Sequence, residues 1–263
     1  TDSPLFQLLP KFPGIDLQDD VTATCLNRVR QEERFRGMID HARACPSNSD
    51  RRDALLQIQK DLDDLHVVPR NNLVHLLLAY RGVEAWHEMV ALCDAMPGHL
   101  RDVILVCQQH ALALNRRNRA GDRDKAIRLL TKLLDERGPD PETLGILGRI
   151  HKDRYREKKG TILGAGALDD AITAYTRGFE SDPRDYYPGV NAITLLIEKG
   201  TPEAMKEAER LVPLVAFAVA RRGGATSSDY WGLATVLELS CIGGDWDSAP
   251  RALPRALAAA RDS

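Results

Sequence analysis

Two stretches in the middle of the chain decide its fold: LGILGRIH at Leu144–His151 and AITAYTRGFESDP at Ala171–Pro183. In the first, Leu144 is followed by a leucine and a glycine on the same helical stripe. In the second, an alanine is followed by an aromatic residue, a glycine and a final proline. Small residues let two helices approach closely, and the proline stops the second helix. The two stretches therefore predict a packed pair of antiparallel helices.

The spacing within these stretches matches the pattern of a tetratricopeptide repeat, a helix pair that recurs about every 34 residues. Gly148 and Ala171 are farther apart than that pattern allows, so we predict a loop insertion of about 11 residues near residues 156–166. Ala126 lies 45 residues before Ala171 in an equivalent stretch, and removing the insertion restores the period. We predict an all-α, tetratricopeptide-like, right-handed solenoid of antiparallel helix pairs.

The remaining sequence continues the helical pattern with looser spacing. We predict an extended arm or linker over residues 1–16, an N-terminal helical hairpin region over residues 17–70 and the repeat domain over residues 71–263. The expected helices are Leu17–Ala44, Asp50–Leu65, Asn71–Arg81, Val83–Ala95, Arg101–Leu114, Asp122–Arg137, Tyr187–Glu198, Pro202–Arg221, Ser228–Ile242 and Asp247–Arg261.

Composition excludes several classes of protein. The 263 residues carry a formal net charge of -2, which provides no general attraction for nucleic acid or anionic lipid. The longest apolar stretch, Leu211–Ala220, contains a proline and is too short to cross a bilayer, so we expect no membrane partner. The five cysteines form no C-x-x-C pair, and their odd number favours a reducing, cytoplasmic setting.

No catalytic or metal-binding pattern emerges from the sequence. Cys107 and His110 share one helical face, but a metal ion needs three or four ligands. The glycine-containing run Lys158–Gly166 lacks the Gly-Lys-Ser/Thr order of a phosphate-binding loop, and we interpret it as a flexible insertion loop. We therefore expect a protein without enzymatic activity, metal or cofactor.

The candidate contact residues for a partner fall on or near the first helices of the predicted pairs. Asparagines there can clamp a peptide backbone, although Asn115 can instead cap its own helix. Basic residues form two runs, within Arg116–Arg119 and Arg149–Lys159. These basic runs either stabilise helix C-termini or form a rim for an acidic partner. The aromatic residues either pack between repeats or anchor a partner. These candidates are Asn115, Arg116, Arg117, Arg149, Lys152, Asn191, Tyr187 and Trp231.

Four stretches carry a resemblance to a known family: ALNRRNRAGDRDKA at Ala113–Ala126, GRIHKD at Gly148–Asp153, YPGVNA at Tyr187–Ala192 and DYW at Asp229–Trp231. In this order they resemble the TRAF-binding domain of the apoptosis signal-regulating kinases, and still more its bacterial relatives. The resemblance implies a tetratricopeptide region of a regulatory segment that binds partner proteins and helps to set kinase activity.

The function expected from these observations is a non-catalytic protein-interaction module that holds a partner segment in a helical-repeat groove. One alternative is the regulatory repeat portion of a larger signalling or defence enzyme, whose active domain lies outside this chain. A second alternative is a nucleic-acid binder that uses the basic rims, which would make binding strongly dependent on salt. The net charge of the chain favours a protein partner over nucleic acid.

Overall fold

A computed structural model describes residues 20–62, 64–245 and 249–260 of the chain. Within these ranges the chain is α-helical and contains no strand. The predicted arm over residues 1–16 lies outside the described residues. The helices are α1 Asp20–Arg43, α2 Asn48–Lys60, α3 Arg70–Gly82, α4 Trp86–Ala95, α5 Gly98–Arg101, α6 Ile104–Arg117, α7 Asp122–Arg137, α8 Pro141–Glu157, α9 Ile162–Ser181, α10 Tyr186–Lys199, α11 Pro202–Arg221, α12 Tyr230–Ile242 and α13 Ala249–Ala259, with a 3-10 turn at Gly224–Thr226.

Polar capping residues fix where five of these helices begin. The side chain before each of α8 to α12 accepts a hydrogen bond from a backbone N–H in the first turn, which satisfies one of the donors that a helix start leaves open. These caps are Asp140, Thr161, Asp185, Thr201 and Asp229.

The chain forms two compact units, Thr1–Ala113 and Leu114–Ser263, so the division falls inside α6. The expectation that a repeat domain begins at residue 71 stays a prediction. In the first unit, the fully buried Tyr80 anchors α3 to α2. Its hydroxyl donates to the carbonyl oxygen of Leu55 at 3.2 Å and lies 2.8 Å from Oε1 of Gln59.

In the second unit, α8 and α9 form the tightest helix pair. A Cβ placed on Gly148 would lie 2.8 Å from the ring of Tyr175, and one placed on Gly178 would lie 3.3 Å from Cβ of Leu144. Nδ1 of His151, farther along α8, lies 3.4 Å from the carboxylate of Asp170. Contacts that advance along α8 move backward along α9, so the pair is antiparallel, as the opening stretches predict.

The region near residues 156–166 corrects the expectation of a flexible insertion loop. Helix α8 continues to Glu157 and α9 begins at Ile162, so only residues 158–161 form a turn. The turn closes tightly, because a Cβ on Gly164 would lie 2.1 Å from the carbonyl oxygen of Lys158. The extra residues therefore lengthen both helices of the pair.

The predicted fold class is confirmed as all-α and tetratricopeptide-like. Helix α9 ends at Ser181, two residues before Pro183, as the stop signal predicts. No helix in the described part of the chain is long and apolar enough to cross a bilayer. Across those same residues, no three His, Cys, Asp or Glu side chains are placed to hold a metal ion together.

Candidate interaction face

Polar side chains connect the first helices of successive pairs in the second unit. Nδ2 of Asn115, at the end of α6, lies 2.7 Å from Asp153 on α8. The next connection joins Lys152 on α8 to Asn191 on α10. A third joins Thr194 on α10 to Glu238 on α12, whose side-chain oxygens are 2.5 Å apart. These helices lie side by side in the same direction. We call their shared polar surface the first-helix face; it comprises Asn115, Arg149, Lys152, Asp153, Asn191, Thr194 and Glu238.

Asn115 is held in the interior of this surface. Asn115 is only 3% exposed. Both the nitrogen and the oxygen of its side-chain amide form hydrogen bonds. The Nδ2 group donates to Asp153, and Oδ1 accepts from Nε of Arg123 at 2.9 Å. The carboxylate of Asp153 also accepts from Nε of Arg149 at 3.1 Å. This buried network orients two arginines and a carboxylate, and direct contact of Asn115 with a partner stays a prediction.

Lys152 forms the centre of the face. Its Nζ donates to Oδ1 of Asn191 at 2.8 Å, and Nδ2 of Asn191 donates to the carbonyl oxygen of Tyr187 at 2.9 Å. Burial of the ammonium lowers the pKa of Lys152, and the nearby guanidinium groups of Arg156 and Arg149 lower it further. Lys152 is therefore a partly desolvated cation whose hydrogen-bonding partner is a neutral amide.

The two arginines that end α6 differ in their surroundings. Arg116 is exposed. Arg117 donates to both carboxylate oxygens of Asp122, from Nε at 2.9 Å and from Nη2 at 2.7 Å. The hydrogen bonds from Arg117 lower the pKa of Asp122, and this effect is larger than the opposite effect of burial. Arg117 thus fastens the end of α6 to the start of α7, whereas Arg116 keeps its side chain in solvent.

Much of the positive charge in the basic runs is neutralised by neighbouring helices. Nη2 of Arg154 lies 2.5 Å from Asp124, and Nζ of Lys159 lies 2.6 Å from Glu198. Within α8 itself, Arg149 pairs with Asp153 at 3.1 Å. Paired cations of this kind offer less charge to phosphate groups than the sequence suggests. The geometry therefore gives the nucleic-acid alternative no support.

Two aromatic side chains are available at the starts of α10 and α12. Tyr187 is 42% exposed, and its ring packs edge-on against Tyr175 with the ring centroids 6.2 Å apart. Trp231 is 69% exposed and packs against Tyr230 at 5.1 Å. Large aromatic groups that are held on one side and open on the other are common anchors in protein interfaces.

The sequence reasoning missed Asp153, Thr194 and Glu238. A signal for Asp153 is present, since Asn115, Asp153 and Asn191 recur at intervals of 38 residues. Asn115 and Asp153 are in direct contact, and Asn191 contacts Lys152, the residue next to Asp153. Thr194 and Glu238 follow no such interval with the other members, and only the packing of α10 beside α12 brings them together.

The sequence of the chain matches a described family over nearly its whole length. The model of the MAP3K TRAFs-binding domain matches residues 16–260. The mitogen-activated protein kinase kinase kinase nsy-1 of Caenorhabditis elegans is 28% identical over 236 residues, which cover 84% of this chain and 16% of that protein. Human mitogen-activated protein kinase kinase kinase 6 is 30% identical over 210 residues, 76% of this chain and 16% of the kinase.

Human mitogen-activated protein kinase kinase kinase 5 is 26% identical over 199 residues, 73% of this chain and 14% of that protein. The chain thus spans only about one sixth of the length of the kinases that it matches. Among solved structures, the chain titled MamA MSR-1 C2 superposes with a TM-score of 0.47 at 18% identity. That superposition covers 74% of this chain and 99% of the other.

Proposed function

This chain belongs to the MAP3K TRAFs-binding domain family, and from that premise we propose that it is a non-catalytic protein-interaction module. The first-helix face takes a segment of a partner protein in an extended conformation. Concave surfaces of helical repeats suit such ligands because successive helices present side chains at regular intervals. The family name and the tetratricopeptide-like helix pairs support this proposal.

The observation that carries the proposal is the environment of Lys152. Among the described residues, the half-buried ammonium of Lys152 hydrogen-bonds only to the Asn191 amide. Burial and the nearby arginines lower its pKa more than the carboxylates of Glu238 and Asp153, which lie beyond hydrogen-bonding distance, raise it. A carboxylate from a partner would supply an opposite charge where water is partly excluded, and charge-assisted hydrogen bonds are the stronger kind. The partner segment therefore carries a carboxylate that reaches Lys152.

The exposed aromatic side chains supply the apolar part of the contact. Tyr187 and Trp231 begin α10 and α12, the two first helices that follow the helix of Lys152. We propose that Trp231 anchors the segment, Arg116 and Arg149 complete the charged side of the contact, and Asn115 and Arg117 position these groups from below. If Trp231 is the anchor of the contact, its removal should weaken binding by about 2 kcal/mol, a factor of roughly thirty.

A library of random peptides displayed on phage provides a test that needs no known partner. Peptides selected by the full chain would be measured by fluorescence anisotropy against Lys152→Gln and Trp231→Ala, with Ile162→Ala, at a residue 92% exposed on α9, as a matched exposed control. We expect acidic peptides whose binding weakens at least tenfold in the first two variants and is unchanged in the control. Peptides without carboxylates, or equal losses in all three variants, would contradict the proposal.

A second candidate function concerns the context of the module. The kinases that resemble this chain are about six times longer than the matched region, which supports the alternative that the chain regulates an enzyme domain outside it. The reading frame that surrounds its gene tests this directly: an adjoining catalytic domain is expected, and stop codons on both sides would rule it out. The expected bacterial-type membership and cytoplasmic setting also stay predictions.

A further inference from the structure

The second helices of the C-terminal unit form a cleft that the first-helix face does not use. It has a volume of about 750 Å³ and lies between the end of α9 and the second half of α11. Its floor includes the buried side chains of Phe179 and Leu211. On its wall stand Leu214, which is half exposed, and Phe217, which is 68% exposed. We call this feature the outer cleft.

The residues of α11 that line the outer cleft follow one helical stripe. Arg210, Leu214, Phe217 and Arg221 occupy positions i, i+4, i+7 and i+11, a spacing that aligns them along one side of a helix. At 1.5 Å per residue the stripe is about 16 Å long. It therefore offers two adjacent apolar side chains with an arginine at each end.

The charge of the outer cleft is uneven. Four arginines and two acidic residues line it, which leaves a surplus of two positive charges. Arg210 pairs with Glu180 of the lining at 3.4 Å and also with Glu207 at 2.6 Å, and Arg184 pairs with Asp182 at 2.8 Å. The surplus therefore lies at the other end of the stripe.

Arg221 and Arg222 form that end. Neither makes an ion pair with another described residue, and the guanidinium of Arg222 lies 5.8 Å from the ring centre of Tyr186. A guanidinium that stacks on an aromatic ring is held in place while its N–H groups remain able to bind a carboxylate. The apolar groove therefore ends in two cations, Arg222 positioned on the Tyr186 ring and Arg221 exposed beside it.

From this arrangement we infer that the outer cleft is a second docking site, which binds an acidic amphipathic helix of a partner protein. Two apolar side chains on successive turns of that helix lie against Leu214 and Phe217, and carboxylates at one end bind Arg221 and Arg222. A concave, apolar floor accommodates inserted side chains, whereas a bilayer surface would favour a protruding apolar face ringed by lysines and arginines. Helix-in-groove binding uses the same i, i+3 and i+4 anchors as the stripe on α11.

A defined peptide tests the inference. The probe is a fluorescein-labelled, alanine-rich helical peptide of about 16 residues, which matches the stripe at about 1.5 Å per residue. It carries leucine and phenylalanine three positions apart and three glutamates at one end. Two control peptides replace the apolar pair with serine or the glutamates with glutamine. We expect the complete probe to bind at least tenfold more tightly than either control, and its binding to weaken as the salt concentration rises.

Variants of the full chain locate the binding. Phe217→Ser and the double variant Arg221→Glu/Arg222→Glu should each weaken binding of the probe at least tenfold. Ile162→Ser, at a residue 92% exposed on α9, is the matched control for exposed apolar loss and should leave binding unchanged. Trp231→Ala should also leave it unchanged, which separates this site from the one on the first-helix face. Circular dichroism before and after heating confirms that each variant folds.

The remaining outcomes each overturn the inference. These are the absence of binding up to about 1 mM peptide and equal binding of all three peptides. If sedimentation shows that the chain dimerises and that Phe217→Ser abolishes the dimer, the outer cleft binds a second copy of the chain. Binding to vesicles containing phosphatidylserine that the same variant abolishes would make the occupant a membrane surface. None of these results bears on the first-helix face, whose test depends on Lys152 and Trp231.

Discussion

Replacement of Gly148 by alanine tests the packing that defines the fold. The new Cβ would lie 2.8 to 2.9 Å from three ring carbons of Tyr175, closer than carbon atoms approach in folded proteins. Tyr175 is fully buried, so its ring has no solvent space into which to move. The variant should therefore force α8 and α9 apart or push the ring out of its rotamer.

The magnitude follows from two opposing effects. Overpacking a filled core costs about 1–3 kcal/mol, whereas alanine in a helix interior is more stable than glycine by about 0.5–1 kcal/mol. The matched control is Gly166→Ala in α9, where no atom lies within 4 Å of the new Cβ. The Gly166→Ala variant gains the helix stability of alanine without the steric clash that Gly148→Ala introduces. The free energy of unfolding should thus differ between the two variants by about 1–3 kcal/mol.

Urea unfolding measured by tryptophan fluorescence provides the comparison. In a background with Trp86→Phe and Trp246→Phe, the remaining tryptophan is Trp231 on α12. It lies in the same compact unit as α8 and α9, so its fluorescence reports on their unfolding. Gly166→Ala should raise the midpoint of unfolding and Gly148→Ala should lower it. If both variants raise the midpoint by the same amount, the close approach of α8 and α9 at Gly148 is refuted.

Three further results are expected. Asp229→Ala removes the cap of α12 and should cost about 0.5–2 kcal/mol of unfolding free energy in urea, whereas Asp229→Asn, which keeps an acceptor, should cost less. Burial lowers the pKa of His151 below its ordinary value of about 6.5. As pH falls, the imidazole of His151 is therefore protonated in the unfolded chain before it is in the folded chain. The free energy of unfolding should decrease below about pH 6.5. His151→Gln should weaken this pH dependence, whereas His99→Gln, at an exposed position, serves as the control. In Gly164→Ala the Cβ meets the backbone of Lys158, which cannot rotate away, so the loss in urea unfolding should reach the upper part of about 1–3 kcal/mol, and a stabilised variant would disprove the tight turn.

Local chemistry explains the parts of the fold that the sequence predicted well. The bounds of Asp122–Arg137 and Pro202–Arg221 agree with α7 and α11. Glycines with positive φ, Gly121 and Gly138, flank α7, and a capping threonine followed by proline begins α11. Such signals act within a few residues, so they can be interpreted without knowledge of the tertiary structure.

The insertion shows where local signals fail. Residues 158–166 contain three glycines and two adjacent lysines, a composition typical of a loop. The structure nevertheless begins α9 at Ile162, because Ala167 and Leu168 on its first turns join the same buried cluster as Tyr155 of α8. The burial of these side chains between two long helices outweighs the weak helix propensity of glycine. That packing involves residues outside 158–166, so the local sequence alone does not predict it.

The sequence pattern predicts candidate contact residues on or near first helices, and Arg149, Lys152 and Asn191 lie on α8 and α10. Their contact with a partner stays a prediction. Which side chains meet depends on the register of one helix beside the next, and sequence spacing records that register only for the interval of 38 residues. The burial of Asn115 and the central role of Asp153 follow from that packing and could not be derived from residue type alone.

The lengthened hairpin of α8 and α9 constrains how this region can vary among related proteins. A helix gains one turn for every 3.6 residues, and both helices must grow together if the turn at residues 158–161 is to stay closed. Natural length differences should therefore be shared by the two helices, as the predicted insertion of about 11 residues is here. A residue added to one helix alone would rotate its end by about 100° and open the closed turn.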